Sequence, residues 1–475
     1  MSTFSGLSTA LSSLIAQRQA IEVSGQNLAN INTPGYTRQR LEMQSVSAGQ
    51  GATMFSQGNG IGNGVQGVTV ARLGDIFMDA RVRTTSSSAE YLAARTDAYK
   101  RLESTIAEPG ANGISADLDK LWASWSDVVN SPTSDAVGAV LLENSSAVQR
   151  SIATGYSAVV TQWDQTRTKA QSLVSDVNSA ASSVALLNDQ IQQITVSGGN
   201  ANELIDQRNV LTTALASLAG ATVRLQPNGT ADVNIGGNPL VTGSTANKIK
   251  LVGSQEMVGA AGNQVRVEWD RVPAGTPAPL EGGELAGVLS VLAPADGGSG
   301  GLLAESAESY NALATKLATS VNALHSAGAD RAGTTGVDFY SLPTDGSPAA
   351  LGLRVAITSP DKIAVRNPAN GANDTSVADA IGQLGASKDG PDSVWSTFVV
   401  STGVKAKSAL QSATVAEAAR VTAEGLQLAQ TSVDQDEESV NMLSFQRAYQ
   451  GAARVMTAVD EMLDQLINRT GVVGR

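Results

Sequence analysis

Asn27-Leu28-Ala29-Asn30-Ile31-Asn32-Thr33-Pro34-Gly35-Tyr36 closes a run in which Phe4, Leu7, Leu11, Leu14, Arg18, Ile21, Gly25 and Leu28 recur in alternating steps of three and four. Such steps describe the seam of a coiled-coil helix, with lapses at Arg18 and Gly25. The helix must stop at the quoted string. Pro34 pre-sets φ for the second position of a turn and Gly35 supplies positive φ at the third, a type II signature. The same period returns at the far end, in Met442, Phe445, Tyr449, Ala452, Met456, Val459, Leu463 and Leu466. One such helix could simply cover a globular core. Seams at both tips predict that the two ends pair and that the middle loops out as domains.

Outward from the turn, an extended piece at 41–46, a Gly-rich stretch at 49–64 and Val65, Val68 and Val70 predict a long loop with a hairpin. Helices follow at about 75–107 and 114–129, the second carrying Trp122 and Trp125 on one face. Asn130-Ser131-Pro132-Thr133-Ser134-Asp135 breaks the pattern, and Ser134 or Asp135 caps a proline-free helix running to about 196. Its seam is Leu173, Val177, Ala180, Val184, Leu187, Ile191 and Ile194. A further helix aligns Leu204, Leu211, Leu215 and Leu218 and closes at Gly220.

Between 221 and 292 the period changes to alternation, with Asn228-Gly229 and Gly236-Gly237-Asn238-Pro239 as turns. Residues 296–301 read as a flexible joint. Helix resumes at 301–326, mixed Gly- and Pro-rich sequence fills 327–404, and a return helix keeps heptad steps through Val415, Ala419, Thr422, Leu426, Ala429 and Val433. The expected class is α+β. Paired terminal coiled-coil helices (1–36 and 433–475) join an elongated helical bundle (37–220, 301–326 and 405–432). An inserted β-rich outer domain is contributed by 221–300 and 327–404.

Composition bounds the chemistry. The 475 residues carry a net charge of −12 and no basic stripe, which argues against nucleic-acid binding. There is no cysteine and a single histidine, His325, so thiolate chemistry and Cys-based zinc sites are excluded. Nothing at metal-ligand spacing surrounds His325, which reads as a core or half-exposed residue. Glycines at 58–64 lack the context of a phosphate loop. Asp434, Asp436, Glu437 and Glu438 stand ahead of a helical seam, where capping explains them better than a divalent ion. No run approaches the roughly 18 apolar residues of a membrane span. Residues 1–15 lack a basic leader segment and read as an amphipathic helix rather than a secretory signal. No catalytic residue, metal or cofactor is expected.

Taken together, the strings resemble a known family. The string at 27–36, after an N-terminal heptad, resembles the motif of the flagellar rod and hook axial proteins. Three more strings narrow the likeness: Ser432-Val433-Asp434-Gln435-Asp436-Glu437-Glu438, Asn441-Met442-Leu443-Ser444-Phe445-Gln446-Arg447-Ala448-Tyr449 and Ala458-Val459-Asp460-Glu461-Met462-Leu463-Asp464. They are similar to the end of the hook-associated proteins that join hook to filament. Leu121-Trp122-Ala123-Ser124-Trp125, Leu187-Asn188-Asp189-Gln190-Ile191 and Ala201-Asn202-Glu203-Leu204-Ile205-Asp206-Gln207-Arg208 agree with it, and Gly283-Glu284-Leu285-Ala286-Gly287 is a weaker match.

The resemblance implies a structural subunit at the hook–filament junction, exported unfolded by the flagellar type III route and assembled outside the cell at the growing tip. Its implied partners are sister copies, the hook protein, the next junction protein and, indirectly, filament cap or flagellin. An export chaperone would sit at the C-terminal helix. The expected assembly interface comprises Phe4, Leu7, Leu11, Leu14, Ile21, Leu28, Asn30, Pro34, Gly35, Tyr36, Met442, Phe445, Tyr449, Met456, Val459, Leu463 and Leu466. Two other readings stay open on sequence alone. One is a different axial protein, the hook subunit or hook-associated protein 3; the other is a secreted carbohydrate-binding or hydrolytic protein built on the β-rich middle.

Overall fold

A computed structural model describes residues 3–47, 62–271, 273–465 and 467. The chain opens with α1 (Thr3–Ala29) and a hairpin of β1 (Gln39–Ser45) and β2 (Val65–Arg72). It continues through α2 (Ile76–Ile106), α3 (Ile114–Asn130), α4 (Asp135–Val196) and α5 (Asn202–Ala219). Short strands follow: β3 (Thr222–Leu225), β4 (Ala231–Ile235), β5 (Asn238–Thr242), β6 (Thr245–Ala246), β7 (Ile249–Val252) and β8 (Arg266–Trp269). Then come α6 (Gly283–Leu292), α7 (Leu302–His325), β9 (Tyr340–Ser341), α8 (Ala349–Gly352), β10 (Arg354–Val355), α9 (Ser376–Gly382), α10 (Pro391–Thr431) and α11 (Gln435–Asp464). The class is α+β: mostly helix, with small antiparallel sheets ordered β1-β2, β3-β4-β5-β6, β7-β8 and β10-β9. The Gly-rich stretch at 49–61 lies outside the described residues.

The spine is α4. Its 62 residues span roughly 93 Å. Ser134 starts it by accepting a hydrogen bond from the Val137 amide, satisfying one of the helix's orphan donors. Leu141, Val148, Ile152, Val159, Trp163, Val177, Val184 and Ile191 form its buried stripe. The N-terminal half packs on α3 and α7, where a methyl at Gly155 would stand 2.4 Å from the Tyr310 ring. Only glycine permits that approach. Trp122 and Trp125 are buried in this core, and Trp122 Nε1 donates to Asp392 at 2.8 Å.

Several expectations need correction. Residues 221–300 and 327–404, expected as parts of a single outer domain, attach at different places along α4. Asn178 holds Ile249, and Asn188 holds Ala231 and Gly243, towards its C-terminus. Gly138, near its N-terminus, instead meets Pro360 and Ile363. Strands of two to five residues cannot bury a core by themselves, so each group borrows the apolar side of α4. Residues 283–292 are helix rather than strand: α6 is apolar on most sides and buried against α2, which erases the amphipathic period. The return helix begins at Pro391 instead of 405, with proline in the first turn, where its missing N–H costs nothing. The supposed flexible joint is held in place. The Glu305 carboxylate accepts from the amides of Asp296, Gly298 and Gly300 at 2.6–2.9 Å.

The heptad register of α10 is also corrected. Val415 is 66% and Leu426 45% exposed, while Thr402, Ala406, Ala423 and Thr431 are buried. Half-buried Ala409, Ala413, Ala416, Arg420 and Gln427 complete that stripe. It faces α2, whose buried residues include Ser86, Ala89 and Thr96. The helices run antiparallel, with Gln427 bonded to Asp79 at one end and Trp395 to Glu108 at the other. Small side chains let the two backbones close up, so alanine rather than valine or leucine marks the seam.

Candidate assembly interface and the node at its base

α1 and α11 lie side by side in opposite directions. A methyl at Gly6 would stand 3.6 Å from Val459 Cγ2. Nearer the other end, Ala20, Val23 and Ser24 share a cavity of about 100 Å³ with Glu438, Asn441 and Phe445. The expected residues of α11 fall on the side turned to α1. Val459 is buried, Met442, Phe445, Met456 and Leu463 are half-buried, and Tyr449 sits at the rim.

On α1 the outcome differs from expectation. The buried stripe is Ala10, Ala16, Ala20, Ser24 and Asn27. Leu7, Leu14, Ile21 and Leu28 flank it half-buried, while Leu11 (49%) and Ile15 (53%) face outward. The small side of α1 receives the large residues of α11, and much of its aliphatic side is left uncovered. Phe4 lies in the first turn of α1 with its side chain outside the described residues, and Leu466 lies outside them altogether.

The turn after α1 forms as expected. Tyr36 donates its amide to Thr33 O at 3.1 Å, Gly35 has φ +79°, and a methyl at Gly35 would collide with Val210. Asn30 ties the turn down: its amide nitrogen donates to Gln26 O, and its oxygen accepts from the Thr33 hydroxyl. Pro34 is exposed. The consequence is to aim Tyr36. Its hydroxyl donates to Asn27 Oδ1 at 2.9 Å, and Asn27, 1% exposed, also exchanges two bonds with the Gln39 backbone. Asn27 thus fastens α1 to the first residue of β1.

Three of the quoted strings meet here. Asp206 of α5 accepts from the Thr37 amide at 3.0 Å and from Arg72 at 2.8 Å, while Arg72 also reaches the Thr37 hydroxyl. Arg38 pairs with Glu438 and Glu437 of α11, each at 2.7 Å, and its amide donates to Thr431 O at the end of α10. Asp434 caps α11 through the amides of Asp436 and Glu437, which accounts for the acidic cluster. Asn202 donates to Gln39 and to Val70 O. A second buried pair lies just behind: Arg208 donates to Asn188 Oδ1 and Gly229 O.

Burial governs the charges. It pushes the Tyr36 phenol up to about 12, with Glu203, Asp206 and Glu438 adding to the effect. It raises the Asp206 carboxyl despite Arg72 and the Thr37 bonds. It lowers Arg208 to about 10, assisted by Arg72. The node is therefore a low-dielectric knot in which Glu438 depends on Arg38 and Asp206 on Arg72.

Asn27, Arg38, Arg72, Asn188, Asp206 and Glu438 were absent from the expected interface because apolar periodicity says nothing of polar residues. All but Arg38 and Arg72 sit inside the quoted strings, and that was the available signal. His325 is a core residue: Nδ1 donates to Val337 O at 2.7 Å and Nε2 accepts from the Ala364 amide at 2.9 Å. Among the described residues no group of three His, Asp or Glu side chains could hold a metal ion, and no helix is long and apolar enough to cross a membrane.

Three family models match the chain. They are the flagellar hook-associated protein FlgK helical domain over 99–340, the flagellar basal body rod FlgEFG protein C-terminal region over 428–469, and the flagella basal body rod protein over 7–37. Flagellar hook-associated protein 1 of Bacillus subtilis (strain 168) is 27% identical across the whole of both chains. Its counterpart in Escherichia coli (strain K12) is 27% identical over 73% of this chain and 61% of the relative. That of Salmonella typhimurium is 28% identical over 71% and 59%. The chain thus spans about three fifths of the length of these last two relatives. Among solved structures, the flagellar hook junction protein FlgK from Burkholderia pseudomallei aligns with TM-score 0.46 and 22% identity, over 56% of this chain and 47% of that one. With the helical-domain model alone taking in more than half of the sequence, the chain belongs to the family of flagellar hook-associated protein FlgK and is a structural protein of the flagellar hook–filament junction.

Proposed function

We propose that this chain forms the junction layer itself, with α1 and α11 acting as a coiled-coil pair whose uncovered aliphatic sides are closed by sister copies. The observation that carries this reading is the inverted burial of α1. Its small residues pack within the chain, while Leu11 and Ile15 face outward, joined on α11 by exposed Leu443, Val455 and Met462. Apolar surface arranged along two helices gains most by association with more of the same kind. The remaining body, from α2 to α10, then presents the surfaces that meet the hook protein on one side and the next junction protein on the other. Export through the flagellar type III route, assembly outside the cell and shielding of α11 by an export chaperone complete the reading. The chain turns over no substrate in this role.

Cells carrying Leu11→Asp or Val455→Asp, changes on the uncovered sides, should shed their filaments, while the purified variants keep the melting temperature of the body. Normal filament attachment by both variants would overturn the proposal. Chaperone capture is tested separately, by pull-down with the last forty or so residues removed.

A further inference from the structure

The chain contains five Asn-Gly pairs, at 59–60, 63–64, 112–113, 228–229 and 370–371. In such a pair the glycine amide nitrogen can attack the asparagine Cγ, because no side chain on the following residue obstructs it. The new N–Cγ bond closes a succinimide. The Cγ–Nδ2 bond breaks, and ammonia leaves carrying the amide proton. Water then opens the ring at either carbonyl, leaving aspartate or isoaspartate. Fold decides which pair reacts, because the attacking N–H must be free and the backbone must be able to turn.

Three of the pairs are restrained. Gly113 donates its amide to Gly110 O at 3.0 Å and is packed so closely on Glu108 that a methyl there would stand 2.5 Å from the carboxylate. Gly229 donates to Gln226 O at 3.0 Å, and Asn228 Oδ1 is held by both the amide and the hydroxyl of Thr230. Gly64 is wedged against Thr9 and Ser12 of α1. The pair at 59–60 lies outside the described residues.

Asn370-Gly371 differs at the attacking atom and in its exposure, although Asn370 donates its amide to Asn367 O at 2.9 Å and Gly371 O accepts from the Asp374 amide at 3.1 Å. Both residues are exposed, nothing lies within 4 Å of a methyl added at Gly371, and its amide has no acceptor among the described residues. Asn370 Nδ2, the atom that departs, donates to Asp374 Oδ1 at 3.1 Å. Asp374 in turn holds the loop, accepting from the Asn367 amide and the Ser376 hydroxyl.

We propose that Asn370 is a self-modification site, converting through a succinimide to aspartate and isoaspartate. Conversion removes the donor to Asp374 and sets a second carboxylate beside it, which loosens the turn that leads into α9. The test is peptide mapping by mass spectrometry of the purified full chain during mildly alkaline incubation, with isoaspartate identified by enzymatic methylation. Conversion at Asn370 should outrun that at Asn112 and Asn228 by roughly tenfold, a difference of ~1.4 kcal/mol in barrier. Equal or slower conversion at Asn370 would overturn the proposal. In urea the three rates should converge; a persistent tenfold gap there would show that the fold is not the cause. Gly371→Ala, which fits the open space, should slow conversion at Asn370 alone, and an unchanged rate would exclude Gly371 as the attacking residue.

Discussion

Arg38 and Glu438, 400 positions apart in sequence, share a 2.7 Å ion pair with Glu438 almost wholly buried. The pair spans the point where the hairpin, the end of α10 and the start of α11 converge. A charge removed from water to this extent is tolerated only because its partner is present. Arg38→Met should therefore destabilise the chain by about 3 kcal/mol, by stranding a buried carboxylate. Arg38→Met combined with Glu438→Met should recover most of that loss. Urea melts of the two singles and the double give the coupling, and simple additivity would show that the pair is not coupled.

Asn27 is the second test of the node. Asn27→Ala leaves the amide and carbonyl of Gln39 without partners, at a cost of about 2–3 kcal/mol. Tyr36→Phe removes one bond to the same oxygen and should cost only about 1 kcal/mol. If Tyr36→Phe proves as severe as Asn27→Ala, the asparagine is not the hub.

His325 gives stability a pH dependence of defined sign. Its folded pKa is lowered from 6.5 by burial, which outweighs the opposing bond to Val337 O and the nearby Asp338 and Asp330, and its Nε2 accepts from the Ala364 amide only while unprotonated. The unfolded chain takes up the proton first, so stability is full above about pH 6.5 and falls as pH drops below it. Melting temperature should fall between about pH 7.5 and pH 5.5, and His325→Gln should flatten that slope. An unaltered slope in the variant would place the dependence elsewhere.

The register of α10 can be read by substitution. Ala423→Leu forces bulk into the close contact with α2 and should cost about 1–3 kcal/mol. Val415→Ser acts on an exposed position and should stay within about 0.5 kcal/mol. Calorimetry of both variants decides between the alanine seam and the valine-leucine one, because the two registers predict opposite rankings.

Much of this fold is legible in the sequence. The breaks at Pro34-Gly35, Ser131-Pro132 and Gly220 each end or begin a helix as expected, since proline and glycine act locally and leave little choice. The long run of α4 was legible because its leucines and valines keep one period for most of its length. What failed was choosing a packed side by residue size. On α1 and α10 the contact is made by Ala10, Ala16, Ala20, Ala406 and Ala423, and a rule that seeks leucine selects the wrong side. Helix α6 was lost for a related reason, since a segment buried on most sides shows no period. The node was legible only as strings of letters. Nothing in the period of residues 201–208 foretells that Asp206 will hold Thr37 and Arg72.

The antiparallel course of α2 and α10 bears on how the chain can come together in time. Joining positions 38 and 438 in a disordered polymer means closing a loop of 400 residues, with the entropy that such a distance implies. Once α2 and α10 are zipped, Asp79 and Gln427 are already bonded, and the remaining search is confined to the far shorter tethers on either side. The closing contact also requires residues near the carboxyl end, so a chain supplied from its amino end must hold α1 in waiting until almost all of it has arrived.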